Sequence, residues 1–303
     1  MDAPEQDLGD IAPRSQSGFL PQRLLITLLG GYWFAREEHI PSAALVRLLA
    51  EFGISDAATR AALSRLARRG LLVSSKSGRR TFYGVSARAA ELLREGARHI
   101  LGFAARDRQW DGTWTVVAFS VPEKHRNLRH VLRTRLHWLG FASLYDGVWV
   151  SPRASAEEVG AELDELGIEA ATVLVGTIAA RAAGPRSPIA AWDLEGLHKV
   201  YEEFTTAFAP LRERARAGEV GAAEALRART EIMDAWRNMP NLDPELPLEL
   251  LPPSWPRRHA RELFVEIYDS LGPLAELRIK QIFARCSPEL ARLASHHGSD
   301  FEG

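Results

Sequence analysis

The stretch Ile54–Ser86, ISDAATRAALSRLARRGLLVSSKSGRRTFYGVS, decides the fold. Ser55 stands where a helix N-cap belongs, and Asp56 follows in the first turn, where the helix dipole favours a negative charge. Ile54, Thr59, Leu63 and Leu66 fall roughly on one helical stripe. Arg60, Ser64, Arg65 and Arg68 fall on the opposite side, with Ala61 beside them. Gly70 is placed to end the helix, because glycine enters the left-handed region without steric cost. Leu71–Val73 then reads as a strand, Ser77-Gly78 as a tight turn and Thr81–Val85 as the returning strand. A helix with an Arg/Ser outer face, followed by an arginine-tipped hairpin, is the layout of a winged helix-turn-helix.

The charge around this stretch points the same way. From Gly18 to Ala90 there are eleven basic residues against four acidic ones, while the whole chain has a net charge of −1. No acid occurs between Arg60 and Arg88. A local excess of this kind is the electrostatic footprint of a phosphate-backbone partner. Double-stranded DNA is therefore the expected partner, read by Arg60, Ala61, Ser64 and Arg65, with Ser55 at the helix start and Arg79 and Arg80 at the hairpin tip.

Outward from this motif, 303 residues leave room for further domains. The expected fold class is α+β multidomain. Residues 1–17 read as a disordered tail, polar and acidic and without the basic-then-apolar start of a secretory signal. Residues 18–86 form the winged-helix domain. Its first helix covers Gln22–Leu29 and is stopped by Gly30-Gly31, and its second covers Pro41–Phe52 with the proline at its start. Residues 87–109 are a linker helix. Residues 110–181 carry the order β-α-β-β-α-β, the ferredoxin-like arrangement, expected to serve dimerisation or ligand binding. Its first strand is TWTVVAFSV, ended by Pro122. Its first helix runs from Lys124 to Leu139, with Leu128, Val131, Leu132, Leu136 and Leu139 inward. Tyr145-Asp146-Gly147 is a hairpin signal. Ala182–Pro188 reads as a hinge, residues 189–287 as a helical C-terminal domain and residues 288–303 as a flexible tail.

Several chemistries have no motif. The single cysteine, Cys286, excludes an internal disulfide and fits a reducing cytosol, so the expected location is cytoplasmic. No apolar run approaches the roughly 20 residues of a membrane helix. No H-E-x-x-H, Walker loop, G-x-S-x-G or clustered Cys/His occurs, so the expectation is a non-enzyme without metal or cofactor. The alternative is a metal-dependent nuclease, because a domain of this strand order resembles that of the small CRISPR-adaptation nucleases. Those place an Asp at the end of the first strand. Here that place reads Ala118-Phe119-Ser120-Val121-Pro122-Glu123, and a serine cannot supply the charge.

Taken together, RLLITLLGGY, the R-x-A-L-S-R-L core, the G-R-R wing, WDGTWTVVAFSVPEKHRNLRHVLRTRLHWLGFASLYDGVWVSPR and DPELPLELLPPSWP resemble the PaaX family of phenylacetate-catabolism repressors, from about Leu24 to about Tyr268. The resemblance implies a homodimeric repressor that binds palindromic operator DNA. It also implies release of that DNA by an acyl-CoA effector, typically phenylacetyl-CoA. It transfers no effector-binding residue. A regulator of the same build without an acyl-CoA effector is the remaining alternative.

Overall fold

The computed structural model describes residues 20–301, apart from 35, 108, 154 and 179–186. The expected tail 1–17 and the hinge residues 182–186 lie outside the described residues. The chain forms two compact units. One comprises Met1–Gly102, Phe208–Arg237 and Leu263–Gly303, and the other Phe103–Ala207 and Asn238–Glu262.

In the first unit, helix α1 spans Pro21–Tyr32, with its proline in the first turn, where a missing N–H is free of cost. The helix runs through Gly30-Gly31 instead of stopping there. The reason is packing: a Cβ on Gly30 would lie 3.1 Å from Leu93 Cδ2, so glycine admits the leucine of a later helix. Ile40–Pro41 forms a two-residue strand, β1, so Pro41 is outside the second helix. Helix α2 is correspondingly shorter than expected, Ser42–Ala50. Helix α3 spans Asp56–Arg68. Strands β2 (Leu72–Ser77) and β3 (Arg80–Val85) follow, and β1 pairs antiparallel with β3. Ser77 is opposite Arg80, so the turn is Gly78-Arg79, one residue later than the sequence suggests. Gly78 has φ +57°, and glycine at the first turn position is the type II′ hairpin pattern. Helix α4, Ala87–Gly102, starts at Ser86, whose Oγ accepts from Ala89 N at 3.1 Å. Leu24, Leu25, Leu45, Leu49, Leu63 and Leu66 are buried as the core of this part.

The second unit is built on β4 (Trp114–Phe119), α5 (Arg126–Trp138), β5 (Ala142–Tyr145), β6 (Val148–Ser151), α6 (Ala156–Glu165) and β7 (Ala171–Gly176). The sheet order is β5-β6-β4-β7, with every neighbour antiparallel. One face packs on the helices: Val117, Phe119 and Trp149 meet Leu132, Leu136, Val159 and Leu163. Val131, expected in this core, is 40% exposed, because it sits about a third of a turn from the Leu132/Leu136 stripe. Gly147, at φ +75°, closes the β5–β6 turn, and a Cβ there would lie 2.7 Å from Phe119 O.

The C-terminal helices are α7 (Leu194–Arg216), α8 (Ala222–Trp236), α9 (Met239–Leu242), α10 (Arg257–Ser270), α11 (Gly272–Ala284) and α12 (Pro288–Ala291). Of their residues, Phe208–Arg237 and those from Leu263 onward belong to the first unit and the others to the second. In the first unit Arg229 on α8 is buried, with its guanidinium 3.7 Å from the Tyr268 ring centre and its Nε donating to Tyr268 O at 2.8 Å. In the second, Asp243 accepts from Tyr201 Oη at 2.6 Å and from Arg257 Nε and Nη2 at 2.7 and 2.9 Å, all buried. Pro188 is buried and opens a short 3-10 turn to Ala191.

The segment expected as a flexible tail is instead attached through residue 301. Ser295 N donates to Tyr32 O, Ser299 N to Asp269 Oδ1, and the Phe301 ring meets Phe34 edge-on at 5.0 Å. Glu276 is the anchor: His296 N donates to it at 3.0 Å, and the His296 ring Nδ1 is 2.6 Å away. Burial opposes the Glu276 charge, but hydrogen bonds from Lys280 and His296 more than offset this and hold its carboxyl down to about 2. A carboxyl depressed by folding stabilises above its ordinary value of 4.5, and that contribution is lost as pH falls toward 2. Glu276→Gln is expected to flatten the loss of thermal stability between pH 4.5 and 2, measured by unfolding monitored at several pH values. An acid profile identical to the parent's would refute the assignment.

Candidate nucleic-acid interface

Helix α3 is closed at both ends by its own sequence. Ser55 Oγ accepts from Ala58 N at 3.3 Å, and Asp56 occupies the first turn. At the other end Gly70 has φ +71°, Gly70 N donates to Ala67 O, and Leu71 N donates to Leu66 O, both at 3.0 Å. This pair of bonds is the Schellman closure. Thr59, Ala62, Leu63 and Leu66 are buried. The Thr59 hydroxyl donates to Ser55 O at 3.1 Å, which satisfies a polar group inside an apolar stripe.

The opposite face is solvent-exposed. Arg60, Ala61, Ser64, Arg65 and Arg68 are all exposed, at helical spacing. Arg60 reaches back to Asp56 at 3.7 Å across a highly exposed pair, a weak tether in water. No carboxylate is paired with Arg65 among the described residues.

The hairpin is tied to the end of the same helix. Ser86 Oγ donates to Gly70 O at 2.8 Å, Ser86 N donates to Leu71 O at 3.1 Å, and Leu72 is buried. From Val73 through Arg80 every residue is exposed. Arg79 is in the turn, and Arg80 begins β3. His39, just before β1, places its Nδ1 2.7 Å from Ser75 Oγ, and a Cβ on Gly84 would lie 2.2 Å from the His39 ring. Gly84 thus makes room for the imidazole that braces β2.

Arg60, Ala61, Ser64 and Arg65 therefore share one helix face, while Arg79 and Arg80 share the hairpin tip. Ser55 is exposed, but its hydroxyl caps the helix. The same exposed surfaces add Arg68 on α3 and Lys76 on β2, opposite Thr81. Both are visible in the sequence as charges, but only the pairing register puts Lys76 on the free part of the hairpin.

In the second unit, Ser120 follows β4, and Glu123 is 3.3 Å from Arg129. Among the described residues no group of three or more His, Cys, Asp or Glu could hold a metal ion. No helix among them is long and apolar enough to cross a membrane.

Comparison with known proteins matches residues 21–89 to the family described as "PaaX-like protein", residues 107–188 to "PaaX protein central Cas2-like domain" and residues 192–296 to "PaaX-like protein C-terminal domain". The "Transcriptional repressor PaaX" of Escherichia coli K12 is 30% identical over 258 residues, covering 83% of this chain and 80% of that protein. The chain belongs to the PaaX family. The PaaX relative so named is a regulator, not an enzyme. Among solved structures, an uncharacterized protein from Mycobacterium tuberculosis, Rv0674, matches with a TM-score of 0.56 at 23% identity, covering 87% of this chain and 98% of that one. It supports the fold alone.

Proposed function

We propose that this protein is a DNA-binding transcriptional repressor whose residues 18–86 are a winged helix-turn-helix. The observation that carries the reading is the outward face of α3, which presents Arg60, Ser64 and Arg65 with no acid between Arg60 and Arg88. In this reading α3 enters the major groove of duplex operator DNA, where an arginine can donate two hydrogen bonds to guanine O6 and N7. The wing arginines Arg79 and Arg80 take phosphates or the adjacent minor groove. Ser55 and Ala61 line the start and middle of the reading face.

The second unit, with its β-α-β-β-α-β order and strand order β5-β6-β4-β7, is read as ferredoxin-like. The protein acts as a cytoplasmic homodimer on a two-fold operator, which matches paired half-sites to paired recognition helices. The regulated operon is one for aromatic, phenylacetate-type catabolism. Its release signal is an acyl-CoA thioester such as phenylacetyl-CoA, which moves the equilibrium by binding the DNA-free form more tightly. Membership of the PaaX family supports these last two statements.

Selection from a random duplex library yields the operator, and fluorescence anisotropy then measures the variants. Arg65→Ala is expected to cost roughly 1–3 kcal/mol and relax preference at one base pair. Arg79→Ala/Arg80→Ala is expected to weaken all sequences alike and to flatten the salt dependence. Parent-like binding by both variants would overturn the groove assignment. Phenylacetyl-CoA at a hundred times its dissociation constant is expected to add about 2.7 kcal/mol of stability and to dissociate the complex. Thermal shift and anisotropy with no response would remove the effector from the account.

A further inference from the structure

Helix α5 in the second unit and the turn before it carry two cations that the fold does not use. Its sequence, RNLRHVLRTRLHW, contains no acid. Three of its arginines are occupied within the unit: Arg129 by Glu123, Arg133 by Asp146 and Arg135 by Glu162 and Glu165. Lys124, in the 3-10 turn before the helix, and Arg126, at its start, are exposed and have no carboxylate partner among the described residues. His130 and His137 continue along the Arg126 side of the helix, both exposed. Thr134 lies between them on the solvent side, and Trp138 ends the helix with 71% of its surface exposed.

This face is not a core face turned outward. The buried stripe is Leu132 and Leu136, with Leu128 packed beside it, and it lies on the other side of the helix. From Arg126 to Trp138 the exposed stripe is about 18 Å long, at 1.5 Å per residue. Its side chains include those that contact DNA phosphates and sugars: lysine, arginine and ring N–H donors. Two cations without a carboxylate partner, beside a helix whose own sequence holds no acid and whose flanking Glu123 and Asp146 are engaged by Arg129 and Arg133, attract a polyanion, and a stripe of this length outreaches a single phosphate group.

We propose that the outward face of α5 is a second docking surface for the phosphate backbone of duplex DNA, used in addition to α3 and the hairpin. This rests on the reading of the protein as a DNA-binding regulator and adds to it a contact made by the second unit. The contact is non-sequence-specific, since nothing in it reads base edges. It contributes affinity and salt dependence, while α3 contributes preference.

The test is Lys124→Ala/Arg126→Ala in the full chain, with duplex binding measured by anisotropy between low and moderate salt. Both side chains are exposed and outside the core, and circular dichroism checks that the variant is folded. Loss of two phosphate contacts is expected to lower the slope of log K against log salt by about 1.8 and affinity by tens of fold at 0.1 M salt. The ratio of operator to random-duplex affinity is expected to stay within about twofold of the parent's, whereas Arg65→Ala lowers that ratio. An unchanged slope and affinity overturn the proposal, as does a variant that loses binding only to a single-stranded oligonucleotide. If the parent prefers no sequence, the reading of α3 fails, but a reduced slope in the α5 variant still supports this surface.

Discussion

The burial of Thr59, Ala62, Leu63 and Leu66 against the helices of the first unit is the constraint from which the rest follows. A helix has one orientation about its axis once one stripe is fixed in a core. Burying these four residues leaves Arg60, Ala61, Ser64 and Arg65 no position but the outside. Thr59 fits because its hydroxyl is satisfied by Ser55 O within the helix. The Schellman closure at Gly70 and the Ser86–Gly70 bond then fix where the hairpin leaves, so the basic tip at Arg79-Arg80 belongs to the same rigid assembly.

The same logic of a satisfied polar group explains the proline-rich segment of the second unit. A buried Asp243 is costly unless its charge is paired and its oxygens accept hydrogen bonds. Arg257 supplies a two-pronged pair and Tyr201 a third donor, while Arg257 Nη1 donates to Leu246 O at 3.0 Å. Burial, with the nearby Asp243 carboxylate, pushes the Tyr201 hydroxyl well above its ordinary value, so it remains a donor. One arginine thus ties Asp243 and the chain near Leu246 to the start of α10, which holds the irregular stretch in place without regular backbone pairing. The stretch that contributes to the family resemblance is therefore also a structural knot.

What was legible in the sequence was what is local. Caps, turn glycines and short-period stripes placed α3, α4 and the whole β4–β7 order to within a few residues. What was not legible depends on partners distant in the chain. Gly30-Gly31 reads as a helix stop until Leu93 is found to need the space. Pro41 reads as a helix start until β3 supplies Phe82 as its partner. The segment after Pro288 looks unstructured because its contacts are with Tyr32, Asp269 and Glu276. The outward face of α3, Arg68 included, follows from the helical spacing alone, whereas the place of Lys76 needed the hairpin register. The α5 surface was visible only as a run of basic residues, since the ion pairs that separate used from unused cations are a property of the fold.

In the proposed function the exposed face of α3 reads base edges in the major groove. Methylation interference on the selected operator tests it most directly, because N7-methylguanine blocks the acceptor that an arginine would use. Methylation at one or more guanine N7 positions in each half-site is expected to abolish binding, and Arg65→Ala to remove the sensitivity at one of them. Binding indifferent to N7 methylation throughout the operator, with sensitivity only to minor-groove modification, would contradict it.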